Sequence, residues 1–109
     1  MPEQRRQAAA MALRFTKAAD TDIVHMMLEG IERFGLSQAD VYADGLKAAC
    51  RAIEDNPEIV RLRTEFTPQV RIYRYRSHII VYRTDEEGVL VIRVRHGRED
   101  WSNDPIGDS

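Results

Sequence analysis

The stretch VRIYRYRSHIIVYRTDEEGVLVIRVR, residues 70–95, decides the fold. It consists of three runs of Val, Ile, Tyr and Arg separated by two turn signals. β-Branched and aromatic side chains fit a pleated, half-buried surface, and Val70–Tyr75, His78–Thr84 and Val89–Arg95 each have the length of a strand. Asp85-Glu-Glu-Gly88 supplies the second turn, with glycine at its end, and Arg76-Ser77 makes the tighter first link. Successive side chains on a strand point to opposite faces. In the last run Leu90, Ile92 and Val94 therefore share one face, and Val89, Val91, Arg93 and Arg95 the other. The expectation is that Leu90, Ile92 and Val94 lie under the rest of the core, with the arginines largely outward.

Working back from that meander, the periodicity changes. Leu13-Arg-Phe-Thr16 alternates apolar and polar, which predicts a short opening strand. Asp20 or Thr21 offers an N-cap oxygen for a helix starting near Asp22, along which Ile23, Met27, Ile31 and Phe34 form one apolar stripe. Gly35 is placed to close that helix, because glycine tolerates the left-handed conformation. Ser37 is a second N-cap signal, and Tyr42, Leu46, Ala49 and Ile53 form the stripe of a second helix with Cys50 beside it. Asn56-Pro57 ends it, since the residue before proline is pushed out of the helical region. Two helices joined by so few residues run antiparallel as a hairpin. Neither can bury its stripe alone, so both lie on the sheet, which the opening strand rejoins at an edge. The fold class is α+β, a two-layer β-α-α-β-β-β domain with an antiparallel helical hairpin packed on an antiparallel-rich sheet.

Bulk properties narrow the function classes. A chain of 109 residues is one domain. Met1–Ala12 reads as a lead-in, 13–101 as the domain body, and 102–109 as a polar, acidic tail expected to fray. The lone cysteine, Cys50, excludes an internal disulfide and suits a reducing, cytoplasmic compartment. No apolar run reaches the roughly 20 residues a spanning helix needs. Net charge is −2, unevenly spread. Residues 1–60 carry seven Lys/Arg against ten Asp/Glu, residues 61–98 nine Arg against four acids, and residues 99–109 four acids with no base. A block of planar, bidentate donors suits carboxylates or phosphates, although the same arginines could simply line a solvated sheet face.

The details of these segments resemble the ParE-type toxins of the RelE/ParE toxin–antitoxin superfamily. Arg14-Phe-Thr-Lys-Ala-Ala-Asp-Thr-Asp-Ile23 is similar to that family's opening strand and helix, and Phe34-Gly35 followed by Ala39 and Tyr42 to its helix–turn–helix. Arg71–Arg83 resembles its central hairpin. Val91-Ile-Arg-Val-Arg-His-Gly-Arg-Glu-Asp100 resembles its closing strand and His-Gly-Arg-x-Asp ending. The resemblance spans about residues 13 to 101. Where the family often carries Gly-Arg after the second helix, this chain has Arg61-Leu-Arg-Thr64 without a glycine.

The resemblance implies a RelE/ParE-like fold and the toxin of a type II toxin–antitoxin system. Such a toxin inhibits growth by acting on DNA gyrase, is neutralised by a ParD-like antitoxin, and binds no DNA by itself. It implies no cofactor and no metal, and His25 and His78 do not fall at metal-ligand spacing from His96. The C-terminal segment matters for toxicity in this family, so Arg98, Asp100 and Trp101 are candidates for the target interface, Trp and Arg being common hot-spot residues. The alternative for Trp101 is to fold back over the sheet end. Arg71, Arg74, Arg76, Arg83, Arg93 and Arg95 are candidates for pairing with an acidic antitoxin segment.

RelE relatives cleave mRNA on the ribosome, and that is the second reading. It requires a general base, a general acid and a cation at the phosphorane, for which His96, Arg71 and Arg83 are the candidates. Lys47, Arg51, Glu54 and Asp55 on the second helix read as a solvated face, and the favoured reading of His96 is a structural one, capping the sheet edge through the backbone. A sequence pI of about 5.9 argues against docking on a field of phosphates. A third reading is a domain that has lost toxicity and retains only antitoxin binding and operon repression.

Overall fold

The computed structural model describes residues 12–107. The element order is β1 (Ala12–Phe15), α1 (Lys17–Phe34), α2 (Leu36–Asp55), β2 (Leu62–Arg63), β3 (Val70–Tyr75), β4 (His78–Asp85) and β5 (Gly88–His96). The expected lead-in lies outside the described residues except for Ala12, which opens β1. The strands form one five-stranded sheet in the order β1-β5-β4-β3-β2. Strand β1 sits at the edge, parallel to β5, while the other neighbours are antiparallel. The α+β class and the hairpin on a sheet are as expected. The two-residue β2, falling where the chain lacks a Gly-Arg pair, was not read from sequence.

Helix α1 starts five residues earlier than its cap signals suggested. Thr16 is the N-cap: its hydroxyl accepts the Ala19 amide at 3.0 Å and donates to the Ile92 carbonyl at 2.6 Å. The chain thus leaves the β1 ladder and enters the helix at a single residue. Asp22 has another task. It takes the Arg93 guanidinium through two contacts, of 2.6 and 2.9 Å, and accepts the Val94 amide at 3.0 Å. Gly35, at φ 90°, is all that separates the helices, and it caps α2 in place of Ser37. The α1 stripe is also rotated from its expected position. Ala19 and Met26 are buried, Ile23 and Met27 pack beside them, and Ile31 and Phe34 are exposed. On α2, Leu46, Ala49, Cys50 and Ile53 are buried as expected, and the helix ends at Asn56-Pro57.

The largest correction concerns the face of β5. Ile80, Tyr82, Val89, Val91 and Val94 face the helices, while Ile79, Val81 and Ile92 belong to a separate cluster on the outer face, with Leu90 packed against it. Only Val94 of the expected trio lies under the helices. The cause is a β-bulge: Tyr82 pairs with Val91 but Val81 with Arg93, so Ile92 is an extra residue on β5. A bulge shifts the alternation by one, and the inward residues change from Val89 and Val91 before it to Val94 after it.

The acidic tail is not frayed over its described part. Ile106 packs on the outer cluster together with Trp101 and Phe66, and Pro105 is buried. Arg93 donates to the Ile106 carbonyl at 2.6 Å, and Arg95 to the Asp104 and Pro105 carbonyls at 2.6 and 3.1 Å. Gly107, at φ 71°, brings the backbone so close that a Cβ would meet Arg93 Nη1 at 2.9 Å. The outer face is therefore covered by an irregular segment held down by two arginines. Among the described residues, no helix is long and apolar enough to cross a membrane.

Candidate functional site: a groove at the hairpin tip

Among the described residues a concavity lies where the end of α1 and the start of α2 overhang the far ends of β3, β4 and β5. Its volume is about 720 Å³. One half is apolar, with Met26, Met27, Phe34 and Ala39, and the other half is polar, with Tyr42, Arg74, His78, His96 and Arg98. Local sequence explains its shape. Gly30 lets α2 approach to within 3.5 Å of where a Cβ would stand, at Ala39. Gly45 leaves room for Tyr75, whose hydroxyl would overlap a Cβ there, and which donates to the Tyr42 carbonyl at 2.9 Å. Two glycines thus fix the distance of the helices from each other and from the sheet.

Tyr75, Tyr42, His78 and His96 form a row of rings in edge-on contact, with centroids 5.0, 5.5 and 5.0 Å apart. Tyr42 Oη accepts the Ser77 amide at 3.2 Å and lies 2.8 Å from His78 Nδ1. His96 Nδ1 accepts the Arg98 amide at 3.1 Å, and the His96 amide donates to Glu99. Burial, followed by the neighbouring His96, holds His78 below the ordinary imidazole range, and burial raises the Tyr42 phenol. His78 is therefore mostly a neutral imidazole at neutral pH and Tyr42 a protonated phenol.

The sequence-derived residues are dispersed. His96 and Arg98 line the groove. Asp100 instead accepts hydrogen bonds from Asn103. Trp101 covers the outer cluster with Arg63 6.0 Å from its ring. Of the six arginines assigned to a partner, Arg74 lines the groove. Arg71 donates to the Val60 carbonyl at 2.6 Å, Arg76 lies over Tyr75, and Arg83 is exposed. Arg93 and Arg95 are occupied by Asp22, Glu99 and the C-terminal carbonyls. Arg71 pairs with Tyr82 on the helix side, whereas Arg83 pairs with Leu90 on the outer side. Neither lies near His96, which pairs with His78 at the other end of β4. With a rise of about 3.3 Å per residue, His78 and Arg83 are roughly 16 Å apart along the strand.

Tyr42 and His78 were missed as site residues, and so was the contact between His78 and His96. Tyr42 read as helix stripe, and His78 as an isolated strand residue. Counting back from the turn without the bulge sets His78 opposite Arg95, and the extra residue on β5 moves it opposite His96. Among the described residues, no three His, Cys, Asp or Glu side chains converge as a metal site. Cys50 is buried, which pushes its thiol up to about 11 and leaves it a packing residue.

The class these features define is a small α+β domain with a groove that is partly apolar and partly polar. A family profile described as ParE toxin of type II toxin-antitoxin system, parDE, matches residues 13–101, and the chain belongs to this family of type II toxins. It is 37% identical over 70 residues to Toxin ParE1 of Mycobacterium tuberculosis, in strains CDC 1551 / Oshkosh and ATCC 25618 / H37Rv. That match covers 63% of this chain and 71% of the relative. The fold is similar to a solved structure titled Chromosomal ParDE TA system from P. aeruginosa, with a TM-score of 0.67 and 15% identity over 81% of this chain and 97% of that one.

Proposed function

We propose that this toxin acts by binding rather than by catalysis. On this reading it inhibits DNA gyrase in the cytoplasm and is held inactive by a ParD-like antitoxin, a segment of which lies in the hairpin-tip groove. The observation that carries the reading is the separation of His96 from Arg71 and Arg83. A phosphorane needs its base, acid and cation within hydrogen-bond reach of one another, and roughly 16 Å of strand between these groups does not allow that. The groove suits a protein segment better, because half its lining is apolar. Arg98, Asp100 and Trp101 stand as the target-facing candidates of this reading, with Arg98 shared with the groove.

One observation favours the mRNA endonuclease as a second reading. His78 and His96 stand side by side near two arginines that make no ion pair among the described residues, Arg74 and Arg98. That donor set suits RNA, though it is not the set the sequence suggested.

A supercoiling assay with purified protein, run beside in vitro translation on the same preparation, separates the two. Loss of supercoiling with translation intact is the expected result. Intact supercoiling with cleaved message, abolished by His96→Ala, would replace this function with the nuclease. Loss of neither activity, with antitoxin binding retained, would leave a domain that has lost its toxicity.

A further inference from the structure

The polar end of the groove is unusual in how its hydrogen-bonding capacity is arranged. His96 Nδ1 accepts a backbone amide, that of Arg98. An amide can only donate, so this ring nitrogen carries no proton and the ring's proton sits on Nε2. Tyr42 Oη already accepts the Ser77 amide and lies 2.8 Å from His78 Nδ1. Burial keeps both the phenol and the imidazole in their neutral forms, and a phenol proton turned to Nδ1 would leave the His78 proton on Nε2. Neither Nε2 has a protein partner among the described residues, and neither is a buried orphan. Both therefore reach solvent. Arg74 and Arg98, exposed and lining the same groove, can only donate as well. Other charged groups facing this end are few: Glu29 and Arg33 come from α1, 4.0 Å from each other, and Glu99 is occupied by Arg95 and the His96 amide.

We infer that His78, His96, Arg74 and Arg98 form a carboxylate-binding subsite for an acidic side chain of a peptide segment whose apolar residues lie on Met26, Met27 and Phe34. Four donors at this end select an anion, since a neutral amide would leave its own N–H groups facing donors; Glu29, the carboxylate in the same lining, stands 4.0 Å from Arg33. A peptide carboxylate is favoured over a nucleic-acid phosphate for two reasons: the adjoining half of the groove is apolar, and the chain is acidic overall. The subsite deepens the antitoxin reading, on which its biological occupant rests. It also gives a role to Tyr42, which acts as a positioning residue by fixing the tautomer of His78.

The test uses the full chain and requires no antitoxin, so it is independent of the gyrase and antitoxin assays. Long-range ¹H–¹⁵N spectra of the imidazoles report the tautomers, and both rings are expected to carry the proton on Nε2. The chain is then titrated with an amphipathic helical peptide of Leu, Ala and one Glu, and with its Glu→Gln twin. Binding of the Glu peptide is expected to be at least about tenfold tighter, as charge-assisted bonds require, and Arg74→Gln with Arg98→Gln should remove that difference. Tyr42→Phe is expected to shift His78 partly to the other tautomer while leaving the Arg side chains in place. Equal affinity for the two peptides, a proton on Nδ1 of His96, or tighter binding of a short single-stranded RNA to the same signals would each overturn the proposal. Loss of antitoxin neutralisation with the peptide difference intact would instead count against the antitoxin reading alone.

Discussion

The two faces of the sheet are both buried, but by different means. On the inner face two helices of 18 and 20 residues bring regular stripes onto Ile80, Tyr82, Val91 and Val94. On the outer face Ile79, Val81 and Ile92 are covered by Phe66, Trp101 and Ile106, which come from segments without regular structure. A helix satisfies its own backbone, so its apolar stripe alone holds it in place. An irregular segment must find partners for each carbonyl, and here Arg93 and Arg95 provide them. The comparison shows how an arginine-rich strand block can be partly structural: two of the six arginines between residues 70 and 95 serve to fasten the chain's own end.

Several measurements can break or sharpen this contrast. The largest effect is expected at the inner face, where Ile80→Ala should cost about 4 kcal/mol in urea unfolding, the usual cost of a cavity in a packed core. A value as small as that of an outer-face variant would show the two layers to be equivalent. Next comes Arg93→Met. Its partner Asp22 is only 14% exposed, and orphaning one member of a well-buried pair costs about 3 kcal/mol. Because Arg93 joins α1 to the tail, hydrogen exchange should rise both near Asp22 and at 104–107; a rise in one place only would break the link. Ile106→Ala should cost about 1 kcal/mol, since the residue is half-buried, and should increase binding of a hydrophobic dye without loss of helical signal.

The smallest effect concerns the groove end of the inner face. His78 is held below its ordinary value, so in the pH range under that value the folded state binds fewer protons than the unfolded chain. Its contribution is present above about pH 6.5 and is lost as pH falls toward the depressed folded value. Urea midpoints should therefore drop between pH 7.5 and 5.5, and His78→Gln should flatten that slope. An unchanged slope in the variant would mean that other groups carry it.

Much of this architecture was legible in the sequence because it is local. The strand runs, the turn at Asp85–Gly88, the α2 stripe and the stop at Asn56-Pro57 each follow from a few neighbouring residues. The errors arose where tertiary contacts decide. Asp20 and Thr21 gave the better cap signal, but Thr16 is already placed by β1. Ile31 and Phe34 continue an apolar period, yet both are exposed, Phe34 in the lining of the groove. At the site, His96 and Arg98 were legible from the closing motif. Tyr42 and His78 were not, because an aromatic on a helix stripe and a histidine in a strand look like packing residues until the register is known.

That register depends on the extra residue at Ile92, which has a consequence for insertions and deletions. Lengthening the 85–88 turn leaves every downstream pair intact, since both strands stay where they are. Removing Ile92 itself would only flatten the bulge, but removing one residue beyond it, at Val94, would slide the end of β5 along β4, set Gly97 rather than His96 beside His78, and turn Arg95 inward. Among relatives, then, a one-residue gap in the turn is a length polymorphism. The same gap seven residues into the strand would exchange the two faces of its end, and with them the lining of the groove.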